Sequence, residues 1–258
     1  MKAFTFRDPM FVASLRPKAA ATSTDPSFSN VKLLLHMDGA NGGTTFTDSS
    51  SRNHTVTAAG NANTDTSVKK FGSASAEFDG SGDWLQVPDN DDWDIGIDSG
   101  YGASEFTVET WVYLNNTSGT QVFINKGGGT AGWNGSNGHQ YVLFISGGSF
   151  YWQWWNGSSV QSINDTLTNL SWSASNWYHL AISHDGTTTS LYFNGSRVGT
   201  STQAYRISTS ATTFRIGGAV SSTTQSVNGY MDELRITKGT ARYSGASIVV
   251  PTAPFPNS

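Results

Sequence analysis

The sequence predicts an all-β protein built as a two-sheet antiparallel sandwich, and three observations lead there. Residues Phe106–Leu114, FTVETWVYL, alternate Phe106, Val108, Thr110, Val112 and Leu114 with Thr107, Glu109, Trp111 and Tyr113. That two-residue period, in β-branched and aromatic types, is the mark of a strand with two distinct faces. Charged residues are 13% of the chain, about half the usual share, while aromatics reach 12% and Gly, Ser, Thr and Asn abound, as many short strands joined by polar turns require. No segment has the spacing of an amphipathic helix.

Taken in order, residues 1–29 read as an extended N-terminal arm set before a domain at 30–258. Phe4, Phe6, Met10, Phe11 and Leu15 are apolar enough to seek a partner's surface, while Pro9, Pro17 and Pro26 interrupt any periodic element. Strands are expected at Val31–Met37, Val56–Ala58, Ser75–Phe78 and Trp84–Val87, then at 106–114, Gln121–Asn125, Tyr141–Ser146 and Ser149–Trp155. The series closes with Trp177–His184, Thr188–Phe193, Arg197–Gly199, Thr213–Ile216 and Gly229–Thr237. Asp38-Gly39, Asp79-Gly80, Gly147-Gly148 and Asn194-Gly195 supply turn chemistry between them. Gly72, Gly80 and Gly195 are expected at tight turns, and Trp111, Trp177 and Tyr192 in the space between the sheets. Residues 89–105 form an acidic loop, 126–139 a Gly/Asn loop, and a proline-rich tail from about 244 to 258 runs out extended.

Composition excludes several classes of function. A net charge of −4 leaves no electrostatic footprint for nucleic acid. The absence of cysteine removes disulfides and thiolate metal sites and suits a protein made in a reducing cytoplasm. Asp8, Pro9, Arg16 and Pro17 break any signal-peptide core within residues 1–21, and no run is long enough for membrane insertion. No G-x-S-x-G elbow and no H-E-x-x-H pair occurs.

Six pieces in order carry a family resemblance: LLLHMDG at 33–39, DSSSRNHTV at 48–56, KKFGSASAEFDGSGDWLQVP at 69–88, FTVETWVY at 106–113, NWYHLAISHDGTTTSLYFNGSRV at 176–198 and GYMDELRITKGTARY at 229–243. Together they resemble the laminin-G-like branch of the concanavalin A-like lectin/glucanase superfamily, over roughly residues 30–258. The ending, MDELRIT, GTARY and a PTAPFP tail, is similar to versions found in tailed-phage virion proteins. The resemblance implies a jelly roll of two curved antiparallel sheets whose concave face and rim loops bind glycans. It also implies a virion location after synthesis in a bacterial host, as a capsid decoration protein. The partners would then be other virion proteins and further copies of the chain, with the arm and tail lying on neighbouring subunits. A free lectin or adhesin module is the alternative.

The glucanase side of that superfamily carries two carboxylates on one strand face, two residues either side of an Asp. Here Glu105 and Glu109 flank Thr107, so the pattern is not met and the chain reads as non-catalytic. The resemblance further implies a structural calcium (Ca2+) held by Asp38 of HMDG and Asp232 of YMDEL with backbone carbonyls. The alternative is that Asp38 caps a turn and Asp232 satisfies backbone amides. The acidic loop, with Asp89, Asp91, Asp92, Asp94 and Asp98, breaks calcium-loop spacing at Trp93 and reads as solvated. For glycan contact, alternation sends Tyr151, Gln153 and Trp155 to one face and Trp152 and Trp154 to the other. The candidate platform is Trp133, Tyr151 and Trp155 with His139, Gln153 and Asn156 as polar partners. Cover by a loop or another subunit is the competing reading.

Overall fold

The computed structural model describes residues 24–95, 105–127, 140–156, 158–203, 211–220 and 222–258. Fifteen strands are present among them: β1 (Val31–Leu35), β2 (Thr57–Ala59), β3 (Asn63–Asp65), β4 (Ser75–Asp79), β5 (Trp84–Val87), β6 (Phe106–Leu114), β7 (Gln121–Lys126), β8 (Tyr141–Ser146), β9 (Ser149–Trp155), β10 (Val160–Thr166), β11 (Trp177–His184), β12 (Thr189–Phe193), β13 (Ser196–Ser201), β14 (Phe214–Ile216) and β15 (Asn228–Lys238). Two short 3-10 turns, Phe28–Asn30 and Asp91–Trp93, are the helical elements among the described residues.

The strands form two antiparallel sheets. The first runs β13-β12-β11-β6-β15-β4-β3, with β1 also paired to β15; the second runs β10-β9-β8-β7-β14-β5-β2. One edge of β15 is shared: its first half pairs with β4 and its second with β1. The hand-over falls at Asp232–Glu233, where the register against β6 shifts and Glu233 takes a φ of 51°.

Between the sheets lies one core. Phe106, Val108, Val112 and Leu114 of β6 meet Phe150, Trp152 and Trp154 of β9, with Trp93 and Trp172 filling the ends. Alternation therefore assigns the faces of β6 and β9 as expected. Three aromatic residues expected in that core lie outside it. Trp111, Trp177 and Tyr192 all point to the outer side of the first sheet, because their sequence neighbours Val112, Leu191 and Phe193 take the inner positions. Trp111 and Tyr192 are buried there by other parts of the chain, and Trp177 is half-buried.

What covers the outer face is the chain's own ends. Arg242 donates from its backbone to Thr107 Oγ1 at 2.9 Å, Tyr192 donates to the carbonyl of Gly245 at 3.1 Å, and Phe255 lies against Arg235, 3.9 Å from guanidinium carbon to ring centre. Gly195, at φ +88°, permits the close pass, since a Cβ there would sit 2.8 Å from Val250 Cγ2. The tail is thus packed on its own sheet and does not run out to neighbouring subunits. The described part of the arm does likewise: Asp25 accepts from Arg235 and Arg242 and donates its backbone N–H to the carbonyl of Ser258 at 2.6 Å. Phe4, Phe6, Met10, Phe11 and Leu15 lie outside the described residues.

Candidate glycan-binding surface

Register lines up the outer face of the second sheet. Thr57, Gln86, Arg215, Asn125, Val142, Gln153 and Ser162 stand opposite one another on seven successive strands. Residues 217–220 return across the middle of this row. Asn125 Oδ1 accepts from the Val220 amide at 2.8 Å, Arg215 Nη1 donates to the Ala219 carbonyl at 2.7 Å, and Ala219 packs with Val122, Val142 and Phe144.

That crossing leaves two windows. In one, Arg215 stacks 4.0 Å over the ring of Trp84, whose indole N–H donates to Gln86 Oε1 at 3.3 Å. Burial pushes the Arg215 guanidinium below its usual range, and its Nε is buried without a partner. In the other window Tyr151, Gln153 and Trp155 are all half-buried, while Trp152 and Trp154 are wholly in the core. Tyr151 stacks on Phe144 at 4.9 Å and so belongs partly to the packing beneath the 217–220 crossing. Asn156 uses its side-chain oxygen on its own turn, accepting from Ser158 N, Ser158 Oγ and Ser159 N. Trp133 and His139 lie outside the described residues. Trp84, Gln86 and Arg215 were missed as site residues in the sequence. The alternation in WLQV marks Trp84 and Gln86 as one face, but only the pairing of β5 with β14 brings Arg215 beside them.

Asp38 and Asp232 converge on one loop. Asp38 Oδ1 accepts from the Ser73 amide, from Ser73 Oγ at 2.9 Å and from the Ala74 amide at 3.2 Å. Asp232 Oδ2 accepts from the amides of Lys70 at 2.8 Å and Phe71 at 3.1 Å. Both backbone-capping roles considered for these residues are therefore present. Gly72, at φ +57°, sits against the Asp38 carboxylate where no side chain would fit. Asp232 Oδ1 is buried with no hydrogen-bond partner, and burial, with Glu233 nearby, lifts the Asp232 carboxyl to about 8 against the pull of the two amides. A buried, unmet carboxylate oxygen fits a hard cation, although no group of three or more acidic or histidine side chains able to hold a metal occurs among the described residues.

The carboxylate on β6 is committed elsewhere. Burial works to raise Glu109, but Arg235, His179 and Tyr243 outweigh it and hold the carboxyl at about 2. Its oxygens accept from Arg235 Nε and Nη2 at 2.9 and 2.7 Å and from Tyr243 Oη at 2.6 Å, with His179 Nε2 at 3.1 Å. The acidic loop is also less solvated than expected. Asp92 is buried and takes Arg52 at 2.7 and 2.8 Å and His54 at 3.0 Å, Trp93 is fully buried, and burial raises Asp94; Asp98 lies outside the described residues.

Comparison with known proteins agrees with this architecture. The binding domain of botulinum neurotoxin serotype D superposes with a TM-score of 0.59 at 15% identity, covering 84% of this chain and 50% of that one. The binding domain of Paraclostridial Mosquitocidal Protein 1 gives 0.59 at 14% identity, covering 84% and 50%. The receptor binding domain of the botulinum neurotoxin C/D mosaic serotype gives 0.57 at 15%, covering 89% and 49%. The chain thus spans about half the length of these structures, and at such identities the likeness is one of fold. No curated protein matches significantly. A laminin G profile described as concanavalin A-like lectin/glucanases superfamily matches residues 78–242, and the chain belongs to that superfamily.

Proposed function

We propose that this chain is a non-catalytic binding module that takes glycans on the outer face of its second sheet. The observation that carries the reading is the contrast between the two faces. Much of the first sheet's outer side is covered by the chain's own tail, whereas the second presents Trp84, Gln86, Arg215, Gln153 and Trp155 half-buried in two windows. Aromatic faces stack on sugar C–H surfaces, and amide and guanidinium groups meet hydroxyls. The burial of Glu109 in a three-sided cage supports a non-catalytic reading, since it is held by structural partners. The printed names of the structural neighbours, binding and receptor binding domains, support the same class. A Ca2+ ion held by Asp38 and Asp232, with backbone carbonyls and water, would brace the 70–74 loop.

The test is a glycan array run with calcium and with chelator, comparing the parent with Trp84→Ala and Trp155→Ala. Loss of signal with an unchanged melting temperature supports the surface; unchanged signal in both variants refutes it. A second reading, display on a phage particle, is favoured by the MDELRIT, GTARY and PTAPFP ending. Mass spectrometry of purified particles decides it: many copies per particle support display, and absence removes it.

A further inference from the structure

The outer face of the first sheet is not covered along its whole length. Outward residues of β6 read Thr107, Glu109, Trp111 and Tyr113, followed by Asn115 just past the strand. The tail lies over Thr107 and Glu109. The 70–73 loop lies over Trp111, with Lys70 Nζ 3.9 Å above its ring and Phe71 edge-on at 5.8 Å. Exposure then changes: Trp111 is 3% exposed, Tyr113 is half-buried and Asn115 is exposed.

From Tyr113 outward the register assembles a strip. Trp177, Tyr113, Tyr230, Glu77 and Asn63 stand opposite one another on β11, β6, β15, β4 and β3, one per strand, and all are half-buried. Ring centres are 5.6 Å apart from Trp177 to Tyr113 and again 5.6 Å from Tyr113 to Tyr230. Glu77 continues the row, near Tyr230 Oη at 3.4 Å and Asn63 Nδ2 at 3.3 Å. A second row borders it at the sheet end: Asn115 Nδ2 donates to Asn228 Oδ1 at 3.0 Å, Asn228 stands opposite Asp79, and Asn61 Nδ2 donates to Asp79 Oδ2 at 2.9 Å.

We propose that this strip is a second glycan site, built for an uncharged polysaccharide lying across the strands. Three features select that occupant. The rings repeat once per strand, and a strand spacing of about 4.8 Å is comparable with the advance of one sugar ring along an extended chain. The bordering groups are amides, a tyrosine hydroxyl and carboxylates, which between them donate to and accept from sugar hydroxyls. The charges within the strip, Glu77 and Asp79, are both negative, so an acidic polymer is repelled. The site is separate from the second-sheet windows, and its fate does not depend on theirs.

The experiment is affinity electrophoresis of the full chain in native gels containing galactomannan or xyloglucan, with alginate as the acidic counterpart. Both uncharged polymers should retard the parent and alginate should not. Trp177→Ala and Tyr230→Ala should each weaken binding by roughly tenfold, the scale of one lost aromatic contact. Asn115 is exposed, so Asn115→Ala tests the border without risk to the fold and should give a smaller loss. A Trp84→Ala, Trp155→Ala double variant should keep the contribution of the strip. The proposal is overturned if the uncharged gels do not retard the parent, if alginate alone does, or if the strip variants migrate as the parent does. It is also overturned if those variants only convert a dimer to a monomer in sedimentation, which would make a second copy the occupant.

Discussion

Arg235 closes on Glu109 through two nitrogens, Nε at 2.9 Å and Nη2 at 2.7 Å, both to the same carboxylate oxygen. The two residues stand opposite each other on β15 and β6. The remaining nitrogen of Arg235 reaches Asp25 at 3.1 Å, and Asp25 in turn takes Arg242 at 2.7 and 3.0 Å. One ionic cluster thereby ties the central strands to the segment before β1 and to the start of the tail. Glu109→Leu alone should cost roughly 3–5 kcal/mol, because it leaves Arg235 buried without its main partner. The double variant Glu109→Leu, Arg235→Met should recover much of that loss. Urea unfolding of the three proteins measures it, and a double variant no more stable than the single one would show that the cluster does more than pair its own charges.

The same cluster sets an acid limit. Glu109 titrates at about 2 in the fold against an ordinary 4.5, and Asp25 is also held low, by Arg242 and Arg235 against the opposing effect of burial. Groups depressed in this way add stability that is fully present above the unfolded carboxylate range and lost as pH falls through the folded values. The Glu109 contribution is on the order of 3 kcal/mol. Melting temperatures should therefore fall steadily from about pH 5 towards pH 2, and in Glu109→Gln the acid limb should be shallower. Equal acid limbs in the two proteins would remove Glu109 from the account.

Tyr151 and Trp155 were one set in the sequence, yet they should respond differently to truncation. Tyr151 stacks on Phe144 and packs against the cluster that seats Ala219, whereas Trp155 is not among the residues of either described apolar cluster. Tyr151→Ala should lower stability by about 1–2 kcal/mol, while Trp155→Ala should leave the melting temperature unchanged and act on binding. A large loss in Trp155→Ala would place that ring in the core.

How much of this was legible beforehand follows from what each element displays. Strands with an apolar face, such as β8, β9 and β11, could be read to the residue, because alternation and flanking glycines mark both ends. β3 (NTD) and β10 (VQSINDT) could not, since edge strands with few apolar residues carry little periodic signal. Alternation placed Trp152 and Trp154 inside. It would equally have placed Trp111 and Trp177 outside, but the habit of assigning tryptophan to the core overrode it. The cage around Glu109 was hidden for another reason: its members lie 70 to 134 positions away in sequence, and only pairing through β11, β15 and the tail gathers them.

The Asp232 carboxylate gives a direct test of the calcium reading. Its Oδ2 is satisfied by two backbone amides, while Oδ1 is buried and unmet. An asparagine at this position keeps an oxygen for the amides and removes the charge a cation would need. Asp232→Asn should therefore fold and melt like the parent in chelator. In the parent, saturating Ca2+ should add up to about 2.7 kcal/mol at a hundredfold excess over the dissociation constant, seen as a rise in melting temperature that chelator reverses. Asp232→Asn should lose that rise, and Asp38→Asn should reduce it. A parent whose melting temperature ignores Ca2+ would leave Asp38 and Asp232 as the braces of the 70–74 loop and nothing more.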